Sequence, residues 1–432
     1  MKGSSRIESV TARQILARRN YPAIQTTVVT ENEACGVHVV GAGTSVGTYE
    51  AQFVYDGDER WGGLGMQKAV SNVKDIIGPA LKGVDATEQQ KVDGIILELD
   101  GTKNKSNLGG NATASVSAAV LRAGAASLGI PLYKHIGGVN ACTLPIPIVG
   151  LGTGGRYRDP GKTRWFKPSY EYSAYGAGSY SESLYYSLRC ADEVQRLLRE
   201  RYPGKYHPIA GTQSGTLAGV IEDDREFLDI MTEAIINCGY EGKMGIYFDS
   251  AADCYYEKDI NKYVGIFSPG EKSREELIDF YKELVNKYPI VSFEDPLQED
   301  DYEGIAIVTK EVGIEVVGDD LFTTNIERLK KGIATGAANS MVLKMTQVGT
   351  VSEALMACRL ALANDYNVHP CGSRGDADSI GDFAVGLNAG QVRAADHNRL
   401  LAIEEELGST AVWPGKEAYK GWRHQKKHRD KE

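Results

Sequence analysis

In the second half of the chain, short apolar runs that end in a polar residue recur at a fixed interval. GIYFD ends at Asp249, IVSFE at Glu294, EVVGD at Asp319, MVLK at Lys344 and NVH at His369. The last four of these ends stand 25 residues apart, at 294, 319, 344 and 369. Amphipathic stretches fill the gaps, NIERLKKGIATGA after Asp319 and TVSEALMACRLALAND after Lys344. Strand, helix, strand at a constant period is the pattern of parallel βα units. Several such units in a row predict a TIM-type barrel, with an open doubly wound sheet as the alternative. Residues at the C-terminal ends of barrel strands converge on one mouth. Asp249, Glu294, Asp319 and Lys344 are therefore expected to line a single cavity.

The first third mixes strand and helix signals. Residues 23–30 (AIQTTVVT) and 36–40 (GVHVV) read as short strands, followed by a loop over 41–51. Helical periodicity covers 67–81 and 112–128, the latter rich in small residues as in a tightly packed helix. LPIP at 144–147 reads as a junction, and from there to about 182 Gly, Tyr and Arg dominate with little periodicity.

Composition narrows the function. Of the 432 residues, 42% are hydrophobic and 25% charged, the balance of a globular protein. Apolar runs fall well short of a membrane span, and the first residues lack the apolar core of a secretory signal. Acidic residues outnumber basic ones, 58 to 48, which argues against a bulk electrostatic grip on nucleic acid. Seven cysteines without a CxxC pair fit a reducing, cytoplasmic setting better than a disulfide framework.

Three carboxylates converging at a mouth repel one another, and a divalent cation is their natural partner. Oxygen-only ligands favour a hard ion such as Mg²⁺. Lys344 beside them is a candidate base, its pKa expected to be lowered. Metal and lysine together suit removal of a proton next to a carboxylate.

LDGTKNKSNLGGNATASVS (99–117), IPLYKHIGG (130–138), FDSAADCYY (248–256), YPIVSFEDPLQEDD (288–301), VVGDDLFTTNIERL (316–329), VLKMTQVGTVSEAL (342–355) and IEEELG (403–408) carry a resemblance to a known family. Over most of its length the chain resembles archaeal and bacterial enolases. The resemblance implies an α/β fold, an enolase-type modified β/α barrel over 139–432 capped by an α+β domain over 1–138. It implies Asp249, Glu294 and Asp319 as ligands of a first Mg²⁺, and Lys344 as the base that takes the α-proton. It also implies that Ser45 helps bind substrate and a second Mg²⁺ arriving with it. A homodimer or higher homo-oligomer is implied as well.

The remaining residues of such a site are changed. Gln213 stands where enolases place the glutamate that helps expel hydroxide, and glutamine cannot deliver a proton as an acid. In the loop 154–178, Tyr157 takes the place of a histidine, and Glu171 is the nearest candidate for a second glutamate. Near the end, Gly372 falls at a histidine and Ser373 or Arg374 at an arginine of the run that grips the substrate phosphate. Arg393 stands where a second active-site lysine is expected. Five basic residues in 154–178 (Arg156, Arg158, Lys162, Arg164 and Lys167) suggest a lid that meets an anionic substrate.

The reading that results is a Mg²⁺-dependent lyase acting on a small anionic hydroxy acid, phosphorylated or phosphono, from a specialised pathway. Lys344, Gln213 and Arg393 would be its catalytic residues, and Ser45, Tyr157, Glu171, Ser373 and Arg374 its substrate contacts. Alternatives are an ordinary 2-phosphoglycerate enolase with a rearranged site, an epimerase or tautomerase, and a non-catalytic scaffold.

Overall fold

The computed structural model describes residues 4–17, 20–42, 46–153, 167–208, 215–217, 220–221, 223–375 and 377–421. The N-terminal part opens with three antiparallel strands, β1 (Ile7–Leu16), β2 (Pro22–Thr30) and β3 (Cys35–Gly41), paired in that order. Alternate residues of β2, from Ile24 to Thr30, are buried beneath the helix α1 (Gly110–Leu128). That helix is rich in Ala, Ser and Gly, which lets backbones approach closely. A Cβ at Gly36 would sit 2.1 Å from the carbonyl oxygen of Ala119, so the contact admits only glycine. The expected helical stretch at 67–81 forms as three consecutive pieces, Gln67–Ser71, Asn72–Ile77 and Gly78–Leu81.

The second part is a barrel of eight main strands: β4 (Ile146–Thr153), β5 (Ser169–Ser173), β6 (Gly245–Asp249), β7 (Ile290–Glu294), β8 (Glu315–Gly318), β9 (Ser340–Leu343), β10 (Asn367–Pro370) and β11 (Gln391–Arg393). Hydrogen bonding runs β11, β4, β5 and onward in sequence to β10. A parallel bridge between Cys371 and Arg393 joins the two ends, with Gly372 N–H donating to the Arg393 carbonyl at 3.0 Å. The exception to parallel pairing is β5, which runs antiparallel to both β4 and β6. It lies in the stretch that shows little periodicity in sequence.

Every residue of β6 and β7 is buried, because helices cover the outside while the barrel interior is filled. Ile148, Tyr247, Val317, Val342 and Cys371 form one cluster of that filling. The covering helices begin where their sequences provide caps. Ser273 and Glu276 make a reciprocal capping box for Arg274–Lys287, while Asn325 and Thr350 cap Ile326–Thr335 and Val351–Ala363. Among the described residues no single helix is long and apolar enough to cross a membrane.

The N-terminal part is pinned against the mouth of the barrel. Ala51 N–H donates to the Gln347 carbonyl at 2.7 Å, Ser352 N–H to Asp93 at 2.8 Å, and Lys105 pairs with Glu353 at 2.6 Å. At the opposite end the barrel is closed by the segment that leads to Gly421. The carbonyl of Ala418 accepts from Asn367 at 2.7 Å and from Gln391 at 2.9 Å.

Those same two amides donate to Glu315, the first residue of β8, as do Ser292 and the backbone of Lys420. Among the described residues no cation pairs with this carboxyl, and burial raises its pKa to about 7 despite these donors. A carboxyl whose pKa is raised on folding contributes stability that is complete below the unfolded value and lost as pH rises through the folded one. Between roughly pH 4.5 and 7 the native state therefore holds the proton that the unfolded chain releases. Glu315→Gln is expected to match wild type near pH 5 and to exceed it by on the order of 2–3 kcal/mol at pH 8. Urea midpoints at the two pH values measure this, and a variant equally destabilised at both would refute it.

Candidate active site

The barrel brings the polar strand ends together. Asp249 and Glu294 are register partners on β6 and β7, and Glu294 lies opposite Val317 on β8, two residues before Asp319. Lys344 follows β9 directly. All four side chains are buried. The Lys344 ammonium donates to Asp319 Oδ2, and Gln347 Nε2 donates to Oδ1 at 2.7 Å. Burial alone would raise Asp319, but Lys344, Arg374 and Gln347 hold it down at about 2. Burial alone would lower Lys344, but Asp319 outweighs it and keeps the ammonium well above its ordinary value. The sequence suggests a lowered lysine; with Asp319 free to pair with it, the shift has the opposite sign.

Arg393, at the end of β11, reaches into the same space. Its Nε donates to Glu171 at 3.0 Å, NH1 to Glu294 at 2.8 Å and NH2 to Asp249 at 2.8 Å. Glu171 therefore belongs to the site: β5 sets it opposite Tyr247, one strand away from Glu294. Lys167, just before β5, donates to the same Asp249 oxygen that Arg393 uses. Its burial, with Arg393 nearby, lowers the ammonium pKa.

Beneath this layer Tyr247 donates to Glu294 Oε2, and its ring meets that of His369 at 5.2 Å between centroids. Burial, reinforced by Arg393, pushes His369 down to about 3, so the ring is neutral. Neither of its nitrogens has a hydrogen-bond partner among the described residues.

The donor set suits a hard divalent cation. Glu294, Asp295 and Asp319 each offer an oxygen within 4.8 Å of the others, a group built of carboxylates with no histidine or cysteine in it. Asp295 also accepts from the backbone N–H groups of Asp319 at 3.0 Å and Asp320 at 2.8 Å, and so fixes the turn that carries Asp319. Asp249 stands outside this trio, where Arg393 and Lys167 engage it. It remains the register partner of Glu294 on the neighbouring strand.

Of the two candidates near the substrate grip, Ser373 is exposed and Arg374 is buried. The Arg374 guanidinium pairs with Glu50 of the N-terminal part. Glu50 accepts in turn from Gly47 N–H at 3.1 Å and from Gln347 at 3.3 Å. A cavity of about 380 Å³ opens here, with Thr48, Glu50, Gln52, Phe53, Tyr55 and Arg374 among its walls. Gly372 is buried and offers no side chain. Ser45, Tyr157 and Gln213 lie outside the described residues, as does most of the basic loop.

Sequence reasoning names His369 only as a strand end and does not single out Glu50, Tyr247, Asp295 or Gln347. Two signals were available: Asp295 directly follows a strand-end carboxylate, and Gln347 comes three residues after the lysine.

The model for "Enolase, N-terminal domain" matches residues 7–136, and that for "Enolase, C-terminal TIM barrel domain" matches residues 141–421. The chain belongs to the enolase family. The Methanopyrus kandleri enolase is 44% identical over 424 residues, covering 94% of this chain and 97% of its own. The Methanocaldococcus jannaschii enolase is 41% identical over 415 residues (93% and 96%), and that of Thermococcus gammatolerans 41% over 432 (96% and 98%). As a member of this family the protein is a carbon–oxygen lyase.

Gln347 orients Asp319 while its own Oε1 accepts from Thr324 at 2.7 Å. Gln347→Met keeps the bulk and removes these bonds. A loss of about 1–3 kcal/mol in urea-unfolding stability at neutral pH is expected. A loss under about 0.5 kcal/mol, the range of an ordinary surface change, would mean that Gln347 does not hold the carboxylate.

Proposed function

We propose that this enolase-family lyase is a Mg²⁺-dependent dehydratase. In this reading Lys344 removes the proton α to a carboxylate, and a hydroxyl leaves from the β-carbon of an anionic hydroxy acid. The contact between Lys344 and Asp319 at the ends of neighbouring strands carries the proposal. Asp249, Glu294 and Asp319 would hold one Mg²⁺, and Ser45 would help hold a second that arrives with substrate. The bound metal supplies positive charge where negative charge develops on the substrate carboxylate.

The chain's own residues do the rest. Lys344 accepts a proton only once Asp319 no longer holds it as an ammonium. Arg393 presents a planar fork, matched to a carboxylate or phosphonate in a way a lysine is not. Glu171 keeps that fork oriented from the facing strand. Gln213 would steady the departing hydroxyl without giving it a proton, and Tyr157 would add a hydroxyl donor. Assembly as at least a homodimer and a cytoplasmic location belong to the same proposal.

Arg393, Gln213 and Gly372 alter three substrate-side positions while the metal carboxylates and Lys344 stay as in enolases. This favours a phosphono or otherwise anionic hydroxy acid of a specialised pathway as substrate. A second reading, ordinary 2-phosphoglycerate dehydration, rests on full-length relatives that all carry the name enolase. Those relatives support it better than they support the first.

Turnover of 2-phosphoglycerate separates the two readings. The first expects phosphoenolpyruvate formation slower than that of an ordinary enolase by about 10²–10⁴-fold, the usual worth of a general acid. An ordinary rate transfers the conclusion to the second reading. In deuterated water with Mg²⁺ and substrate, Lys344→Ala should stop exchange of the α-hydrogen. Gln213→Ala should lower product formation and leave exchange largely intact. Exchange that survives the first substitution and dies in the second would place the base elsewhere.

A further inference from the structure

Among the described residues, Asp249 is the one strand-end carboxylate held by two cations at a single oxygen. Arg393 NH2 meets Oδ2 at 2.8 Å, and Lys167 donates to the same atom. The two cations are not equivalent. Arg393 is tied by all three prongs of its fork, to Glu171, Glu294 and Asp249. Among the described residues Lys167 has no direct ion-pair partner except Asp249. Its backbone is fixed, because the Tyr255 hydroxyl donates to its carbonyl and β5 begins two residues later. The side chain, by contrast, is a flexible four-carbon stem, and at 17% exposed it is the most open of the cations in the site. Lys167 is thus the least constrained of the three cations.

We infer that Lys167 is a releasable counter-ion: it neutralises Asp249 while the metal is absent, and moves to the anionic group of the substrate when Mg²⁺ takes Asp249. This rests on the metal reading above. Charge supplies the reason. Glu171, Asp249, Glu294, Asp295 and Asp319 share a nearly dry space with Lys167, Lys344 and Arg393, five carboxylates against three cations. The neighbouring Glu50 and Arg374 neutralise one another. A divalent ion that takes Asp249 would offset the surplus negative charge but leave Lys167 without its partner. Unpaired buried charge is strongly unfavourable. An anion beside the metal removes that cost, and Lys167 is the group positioned to receive it. Mg²⁺ and anion must then bind with positive coupling, each raising the affinity of the other by the same factor.

Calorimetric titration with Mg²⁺ tests this, first with Mg²⁺ alone and then in saturating 3-phosphonopropionate, an unreactive carboxylate dianion analogue. For the wild type the anion should tighten Mg²⁺ binding about tenfold or more. Lys167→Gln should bind Mg²⁺ alone about tenfold tighter than wild type, since the competing ammonium is gone, and should lose most of the coupling. Wild-type affinity and coupling in Lys167→Gln would overturn the inference, as would weaker Mg²⁺ binding by the folded variant. Asp319→Asn separates the two levels. If it abolishes Mg²⁺ binding while Lys167→Gln changes nothing, the counter-ion role alone fails. If Mg²⁺ binding is indifferent to Asp319, or absent throughout, the metal reading fails and the counter-ion role falls with it.

Discussion

Five carboxylates share one nearly dry space because a barrel gathers the ends of its strands. At separations of a few ångströms and reduced dielectric, their mutual repulsion would be worth several kcal/mol if nothing stood between them. Arg393 stands between three of them. It is also the residue through which the barrel closes, since its backbone pairs with Cys371 and accepts from Gly372. Closure of the sheet and neutralisation of the site are therefore one event. A strand that failed to seat Arg393 would leave Glu171, Asp249 and Glu294 facing each other across the opening. Lysine at this position could offer the same charge, but its three N–H groups radiate from one nitrogen, whereas the guanidinium donates from three nitrogens set apart in a plane.

What the sequence makes legible follows from this architecture. The 25-residue spacing works because β7 to β10 are parallel strands separated by helices of similar length, so each period ends at the mouth. Strands β1, β4, β5 and β11 are not revealed, and two of them break the pattern for clear physical reasons. β1 lies at the open edge of its sheet with mostly exposed residues, so it lacks the alternation of a half-buried strand. β5 is buried on both faces and runs antiparallel, with Tyr, Glu and Ser in place of an aliphatic run. Glu171 is for that reason only a candidate in sequence, and becomes a site residue once the register of β5 is known. Lys344 and the three strand-end carboxylates are legible in position but not in charge. The sign of the lysine's shift depends on whether Asp319 pairs with it, which no spacing reveals. The choice between Ser373 and Arg374 likewise turns on a partner, Glu50, 324 residues away from Arg374.

That distant pair gives the N-terminal part a role beyond covering the barrel. Glu50 sits in the segment that Gln347 anchors by its carbonyl to Ala51, and Gln347 is also the amide that holds Asp319. One continuous set of contacts thus runs from Arg374 through Glu50 and Gln347 to Asp319 and Lys344. Were the segment at 46–55 to lift away, Arg374 would lose its carboxylate while remaining near Asp319, whose charge it already feels. Asp319 would then be shared between Arg374 and Lys344, and its hold on the lysine's proton would weaken. The seating of the N-terminal segment and the protonation of Lys344 are therefore two readings of one electrostatic balance. A change in either must appear in the other.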